Sequence, residues 1–178
     1  MADLRLVIKR DEYSESPIDS DDLVGMVLFH NRYLLENTLG LNADDYLGWD
    51  DLADKLVKEY GAAEIVPVYM MDHGGLALSD TPFSCPWDSG QVGLAFVTRD
   101  KAREHMGWTI ITKGRRAALM KYILGAIKVY GHFLAGDCHG YTLTDGDGGE
   151  IDSGCGFYGM DSVVEAAADS LKYYGERL

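Results

Sequence analysis

Nowhere in this chain do apolar residues run on for the roughly 18 positions that a membrane-spanning helix requires, so no membrane association is expected. Cysteine is scarce: Cys85, Cys138 and Cys155 are an odd set with no short spacing between them. That argues against a disulfide framework and fits a reducing compartment. The opening residues, MADLRLVIKRDEY, lack the apolar core of a secretory signal and turn charged at once, so a cytoplasmic protein is expected. No internal repeat, low-complexity tract or linker interrupts the 178 residues. A single domain over residues 1–178, long enough to bury a core without staples, follows from that length. The paired-ligand spacings of metal sites are missing too, with no CxxC, HxxxH or HExxH, so neither a metal nor a cofactor is expected.

Positive charge is the other shortage. There are 16 Lys and Arg against 29 Asp and Glu, a net charge of −13. The imbalance is uneven. Arg99 to Lys128 holds eight basic and two acidic residues, and the remainder holds eight basic and twenty-seven acidic ones. Such a surface repels a nucleic-acid backbone, which argues against direct nucleic-acid binding. It suits a basic partner, or simply solubility.

The stretch that is rich where the chain is otherwise poor is Thr81 to Phe96, TPFSCPWDSGQVGLAF. Two prolines, a cysteine, a tryptophan and an aspartate precede one clear strand, Gln91 to Thr98. Around it the chain reads in order. Leu4 to Lys9 alternates as a short strand. Arg10 to Asp22, with Pro17 inside, is expected as an exposed acidic loop. Leu23 to Tyr33 reads as a buried strand, with a short helix as the alternative and His30 a satisfied core histidine. Trp49 to Tyr60 reads as a helix with Leu52, Leu56 and Tyr60 at helical spacing, stopped by Gly61. Ile65 to Met71 is a strand that Pro67 marks as an edge or a bulge, followed by a tight turn at Asp72 to Gly75. Arg99 to Met106 and Thr112 to Ile127 read as helices, the second capped by Thr112. Lys128 to Thr144 reads as a long strand bent at Gly131, Gly136 and Gly140. Asp145 to Gly149 is a hairpin turn into a strand at Glu150 to Cys155. Met160 to Tyr174 is a final helix, capped by Asp161 or Ser162, with Val163, Val164, Ala167, Leu171 and Tyr174 as its apolar face. The order predicts an α+β fold, a mainly antiparallel sheet with helices packed on one side.

Three segments carry a resemblance: LVGMVLFHNRY at Leu23 to Tyr33, the Ile65 to Gly93 stretch containing FSCPWDSGQVG, and Val129 to Gly159. Together they resemble a family of small acidic proteins encoded mostly by bacteriophages, prophages and conjugative elements. The resemblance implies a mobile-element owner and brings over no catalytic residue. Where that family often reads GD-V-Y-G, this chain has Gly136-Asp137-Cys138-His139-Gly140, so a role for Cys138 or His139 is local to this protein.

Two constellations bear chemistry. Cys85 is a candidate nucleophile, with His73 or His139 as base and Asp88 or Asp137 as orienter. A packed small hydrophobe is the plainer reading of that cysteine. Cys138 and His139 are adjacent, so on a strand they face opposite ways and do not share an ion. Asp145 to Glu150 has the look of a calcium loop, but its sixth and twelfth positions, counted from Asp145, are Glu150 and Gly156, which breaks the pattern. Of the three tryptophans, Trp87 beside Asp88 is the best interface candidate. The basic stretch Lys113 to Lys121 reads as a solvated face that pairs with acidic loops of the same chain or of a second copy.

The leading expectation is therefore an accessory protein of a mobile element that acts by protein–protein interaction. It would inhibit a host defence system, as an anti-CRISPR or anti-restriction factor, by presenting an acidic, DNA-mimicking surface to a basic nuclease, restriction or CRISPR component. Its interaction surface would comprise Asp11, Glu12, Glu15, Asp19, Asp21 and Asp22, then Asp44, Asp45, Asp50 and Asp51, then Asp145, Asp147 and Glu150, with Trp87. The alternative is a cysteine- or metal-dependent hydrolase built on Cys85, His73, Asp88, Asp137 and His139. A homodimer through Trp87 or the Pro67 edge strand is compatible with either.

Overall fold

A computed structural model describes residues 3–19 and 22–176; Asp21 lies outside them. The elements run β1 (Arg5–Arg10), β2 (Gly25–Leu28), α1 (Trp49–Lys58), β3 (Ala62–Asp72), β4 (Leu76–Ser79), β5 (Ser89–Thr98), α2 (Arg99–Met106), α3 (Lys113–Leu134), β6 (Cys138–Thr144), β7 (Glu150–Tyr158) and α4 (Met160–Gly175). The fold is α+β and its strand pairs are antiparallel, as the sequence predicts. The strands form two sheets, ordered β1-β6-β7 and β2-β5-β3-β4. The chain divides into two compact units, a central one from Ser16 to Gly131 and a terminal one built from both ends.

In the central unit, β3 and β5 form the longest ladder, from Ala62 opposite Thr98 to Met71 opposite Ser89. Pro67 lies opposite Leu94, beyond the Tyr69–Asp72 stretch that pairs with β4, so its missing N–H faces no ladder. A register shift follows between Val68 and Tyr69. Of the two readings of Pro67, the bulge fits the register shift beside it, whereas β3 is not an edge strand but lies between β5 and β4. Helix α1 lays Leu52 and Leu56 onto Val27, Ala62, Leu94 and Phe96. Phe96 reaches across to Gly25, its directly opposed residue, where any Cβ would meet the ring. Glycine is required more strictly at Gly93. A Cβ there would collide with the Val27 carbonyl oxygen and stand 2.8 Å from the Leu28 Cα. The buried Tyr130 hydroxyl accepts the Glu36 N–H at 2.8 Å, and burial pushes that phenol up to about 12.

In the terminal unit, α4 buries Val163, Ala167 and Ser170. The Ser170 and Tyr141 hydroxyls both donate to Asp152 Oδ2, tying α4 to β7 and β6. Those bonds, Ser170's foremost, hold the Asp152 carboxyl below its usual range. The turn between β6 and β7 closes as the sequence predicts: Asp145 Oδ1 accepts from the N–H groups of Asp147 and Gly149 at 3.0 and 2.7 Å.

Several expectations change. The Lys128 to Thr144 segment is not one bent strand. Helix α3 continues to Leu134 because Ile123, Ala126, Ile127 and Tyr130 recur at helical spacing and are buried. Gly131 sits inside the helix, against Leu78, and the real stop is Gly136 at φ +62°. Strand β4, at Leu76–Ser79, has no counterpart in the sequence reading, its four residues too few to show a period. Strand β2 ends at Leu28, so His30 is exposed rather than a core residue. The loop before it is not wholly exposed, since Ile18 is buried. Helix α4 is capped by Gly159, with no side-chain cap, and Val164 and Leu171 lie exposed one position off the packed stripe. Thr112 does cap α3, accepting from the Arg115 N–H at 3.4 Å.

The β2–β5 contact generates a test. Gly93→Ala should destabilise the protein by about 1–3 kcal/mol, the usual range for overpacking. Gly90→Ala, on the same strand with nothing within 4 Å, should change it by less than about 0.5 kcal/mol. Urea unfolding midpoints decide; equal midpoints for the two variants would contradict this packing.

Candidate functional site

The candidate site residues fall into two groups, one in each unit. In the central unit, the hairpin turn after β3 carries His73, and the loop before β5 carries Cys85, Trp87 and Asp88. Backbone bonds fix both ends. The Asp72 N–H donates to the Asp88 carbonyl at 2.8 Å, and the Ser89 hydroxyl donates to the Cys85 carbonyl. Asp88 Oδ2 then takes two contacts, His73 Nδ1 at 2.9 Å and the Cys85 thiol at 3.6 Å.

These three predicted residues do meet, but in the wrong order for nucleophilic catalysis. A base must face the thiol, with the carboxylate behind the base. Here the carboxylate lies between them. It accepts from the thiol and would repel the charge on an attacking sulfur. His73, with 77% of its side chain exposed, holds Asp88 from solvent. Asp137 and His139 belong to the terminal unit and form a separate cluster.

Beside the first group lies a cleft of about 470 Å³, lined among others by Phe29, Arg32, Asp72, Trp87, Asp88 and Gln91. It opens where the chain leaves β2 after Leu28; Phe29 N–H still donates to the Val92 carbonyl at 2.7 Å. Asp72 Oδ2 accepts from Arg32 at 2.8 Å and from the Tyr33 hydroxyl at 2.7 Å. The Arg32 guanidinium also lies 6.0 Å from the Tyr33 ring centre, and His30 stacks on that ring at 5.0 Å. Trp87 is 92% exposed. The other two tryptophans have neighbours: Trp49 stacks on Phe29, and Arg115 covers Trp108.

In the terminal unit, Asp137 bridges two histidines. Its Oδ2 meets His132 Nδ1 and its Oδ1 meets His139 Nε2, each at 2.7 Å. The His139 bond foremost, then that of His132, holds the Asp137 carboxyl below its usual range, against an opposing push from burial. A strand over Lys128 to Thr144 would keep His132 from Asp137, because five extended residues separate two side chains too far. On the last turn of α3, with Gly136 turning the chain back, the two come together. Cys138 is fully buried and His139 faces the other way, as alternation requires. Among the described residues, no group of three or more His, Cys, Asp or Glu is placed to hold a metal ion.

The acidic residues behave differently. Glu12, Glu15, Asp147 and Glu150 in the terminal unit are exposed, as are Asp19, Asp22, Asp44, Asp45, Asp50 and Asp51 in the central one; Asp11 and Asp145 are half-buried. Among the described residues, none of them forms an ion pair with Lys or Arg. The basic residues pair elsewhere. Arg103 meets Asp100, Lys101 meets Glu104, and Arg116 meets Glu64 and the Ala63 carbonyl. The expected pairing of Lys113–Lys121 with acidic loops is thus limited to Arg116 and the strand residue Glu64. Three of the carboxylates instead accept backbone N–H groups: Asp11 from Tyr13 and Gly156, Asp51 from Leu47, and Asp145 within its turn.

Comparison with family models, with curated proteins and with solved structures gives no match for this chain. Among the described residues, no helix is long and apolar enough to cross a membrane.

The Asp137 bridge predicts a pH dependence. A carboxyl whose folded pKa is depressed contributes its full stability above its unfolded value and loses it as pH falls through the folded one. Asp137→Asn should therefore cost about 1 kcal/mol near neutral pH, the low end for bonds to a charged group once solvent screening is discounted. The gap to wild type should close below pH of about 4. Denaturant melts across pH check this; a gap that widens on acidification would contradict it.

Proposed function

We propose that this protein is an accessory factor of a mobile genetic element. It acts by protein–protein interaction, engaging a basic host component of a nuclease, restriction or CRISPR system with carboxylates that stand in for nucleic-acid phosphates. The observation that carries this reading is the set of exposed acids that, among the described residues, form no ion pair with Lys or Arg. A carboxylate neutralised by a neighbouring lysine contributes little field beyond its immediate surroundings. One held by backbone amides keeps its full formal charge and a fixed position. Such charges steer a basic partner over distances of about a Debye length, roughly 8–10 Å at physiological salt.

The segment from Ala43 to Asp51 supports this best. A one-turn 3-10 helix at Ala43–Asp45 presents Asp44 and Asp45. The first turn of α1 presents Asp50 and Asp51, where the helix dipole favours negative charge. Leu47 is fully exposed between them, its N–H held by Asp51, so an apolar contact is offered at the centre of a negative patch. The resemblance of the FSCPWDSGQVG segment to proteins of phages and conjugative elements supports the mobile-element origin.

Tagged protein incubated with host lysate should retain a basic partner at about 50 mM salt and release it by about 500 mM. Neutralising Asp44, Asp45 and Asp50 together to Asn should reduce retention of that partner about tenfold, since rim charges act on association and its salt dependence. Retention that is indifferent both to salt and to this triple variant would overturn the reading.

A further inference from the structure

The central-unit cleft already holds one guanidinium in a particular way. Arg32 bonds Asp72 at 2.8 Å and lies 6.0 Å from the Tyr33 ring centre, so carboxylate and aromatic face serve the same cation. Trp87 and Asp88 offer the same two elements at the cleft wall. Trp87 is 92% exposed, and among the described residues no Lys or Arg lies over its ring or pairs with Asp88. Both contacts to Asp88 fall on Oδ2, and 40% of the side chain remains exposed, so Oδ1 can accept a further donor. Arg32 does not oppose an incoming cation, because Asp72 matches its charge. Gln91 and Phe29 add an amide and a second apolar wall. A large aromatic left in water at the mouth of a cleft is unusual for a side chain that serves only folding, and tryptophan is enriched among the residues that dominate binding energy.

The geometry points to a docking site for an arginine of the basic partner, its guanidinium stacked on Trp87 and bonded to Asp88. This rests on the reading that the partner is basic and names the contact that would anchor it. Arginine is favoured over lysine because a planar guanidinium stacks and bonds at once, whereas an ammonium is a compact, strongly hydrated charge.

The test uses the full chain and three peptides: acetylated hexa-arginine, hexa-lysine and hexa-citrulline, the last an uncharged near-isostere of the first. Binding is followed through the Trp87 indole N–H resonance, assigned with Trp87→Phe, and by titration calorimetry. Hexa-arginine should shift that resonance saturably, hexa-lysine more weakly and hexa-citrulline not at all. Trp87→Ala and Asp88→Asn should each weaken hexa-arginine binding about tenfold, with Trp87→Phe partly restoring it. Since Trp87 is exposed, its variants should keep the wild-type unfolding midpoint. The inference falls if hexa-arginine leaves the resonance unmoved, if both variants bind like wild type, or if hexa-citrulline shifts it equally. Should the Asp44, Asp45 and Asp50 neutralisation weaken binding while the Trp87 variant does not, the acidic-surface reading survives and the cleft does not. Should no basic peptide bind, both fall.

Discussion

The antiparallel pairing of β3 with β5 is the contact on which the central unit depends. Its far end, where Met71 opposes Ser89 and Asp72 donates to the Asp88 carbonyl, sets the hairpin turn against the cysteine loop and so brings His73, Cys85 and Asp88 together. On the other edge of β5, close approach of the β2 backbone is possible only because position 93 is glycine. Where β2 gives out after Leu28, the chain parts from β5, and the gap is the cleft. One ladder therefore explains both the side-chain cluster and the concavity beside it. The tryptophan that faces solvent there is carried by a loop fastened at its base by Ser89.

The management of charge is equally local. Asp50 and Asp51 sit on a helix N-terminus, and Asp11 and Asp145 accept amide hydrogens. These devices stabilise individual carboxylates without cancelling their charge, which a lysine or arginine partner would do. The cations of the Arg99–Lys128 region are engaged mainly within their own helices, with a carbonyl, or with Glu64. An acidic field is thus preserved on the folded protein. That is the arrangement expected if the field has a use, since self-repulsion otherwise works against the compact state.

Much of the fold was legible because local signals agreed with the tertiary outcome. The helix at Arg99–Met106, which the structure bounds with a Thr98 cap and Gly107, and the continuous apolar run of β5 are such cases. Sequence and structure part where two local signals compete. Three glycines in Lys128–Thr144 outweighed an apolar spacing of three and four residues that continues α3 to Leu134. That error hid His132, because its meeting with Asp137 depends on the helix end and the left-handed Gly136. In α4, adjacent valines at 163 and 164 gave no way to choose the buried one; the packed stripe of Val163, Ala167 and Ser170 includes a serine whose bond to Asp152 replaces apolar contact. The contact of Cys85 and His73 with Asp88 was anticipated by residue type, but the order of the three depended on geometry that spacing does not carry.

If carboxylates on this protein take the place of nucleic-acid phosphates on a basic partner, as we propose, the two ligands must exclude each other. The most direct measurement is competition: the purified complex with its host partner, titrated with that partner's nucleic-acid ligand. Mutually exclusive binding, with the protein displaced as nucleic acid binds, is the predicted result. A stable ternary complex, in which nucleic acid and this protein sit on the partner together, would contradict it.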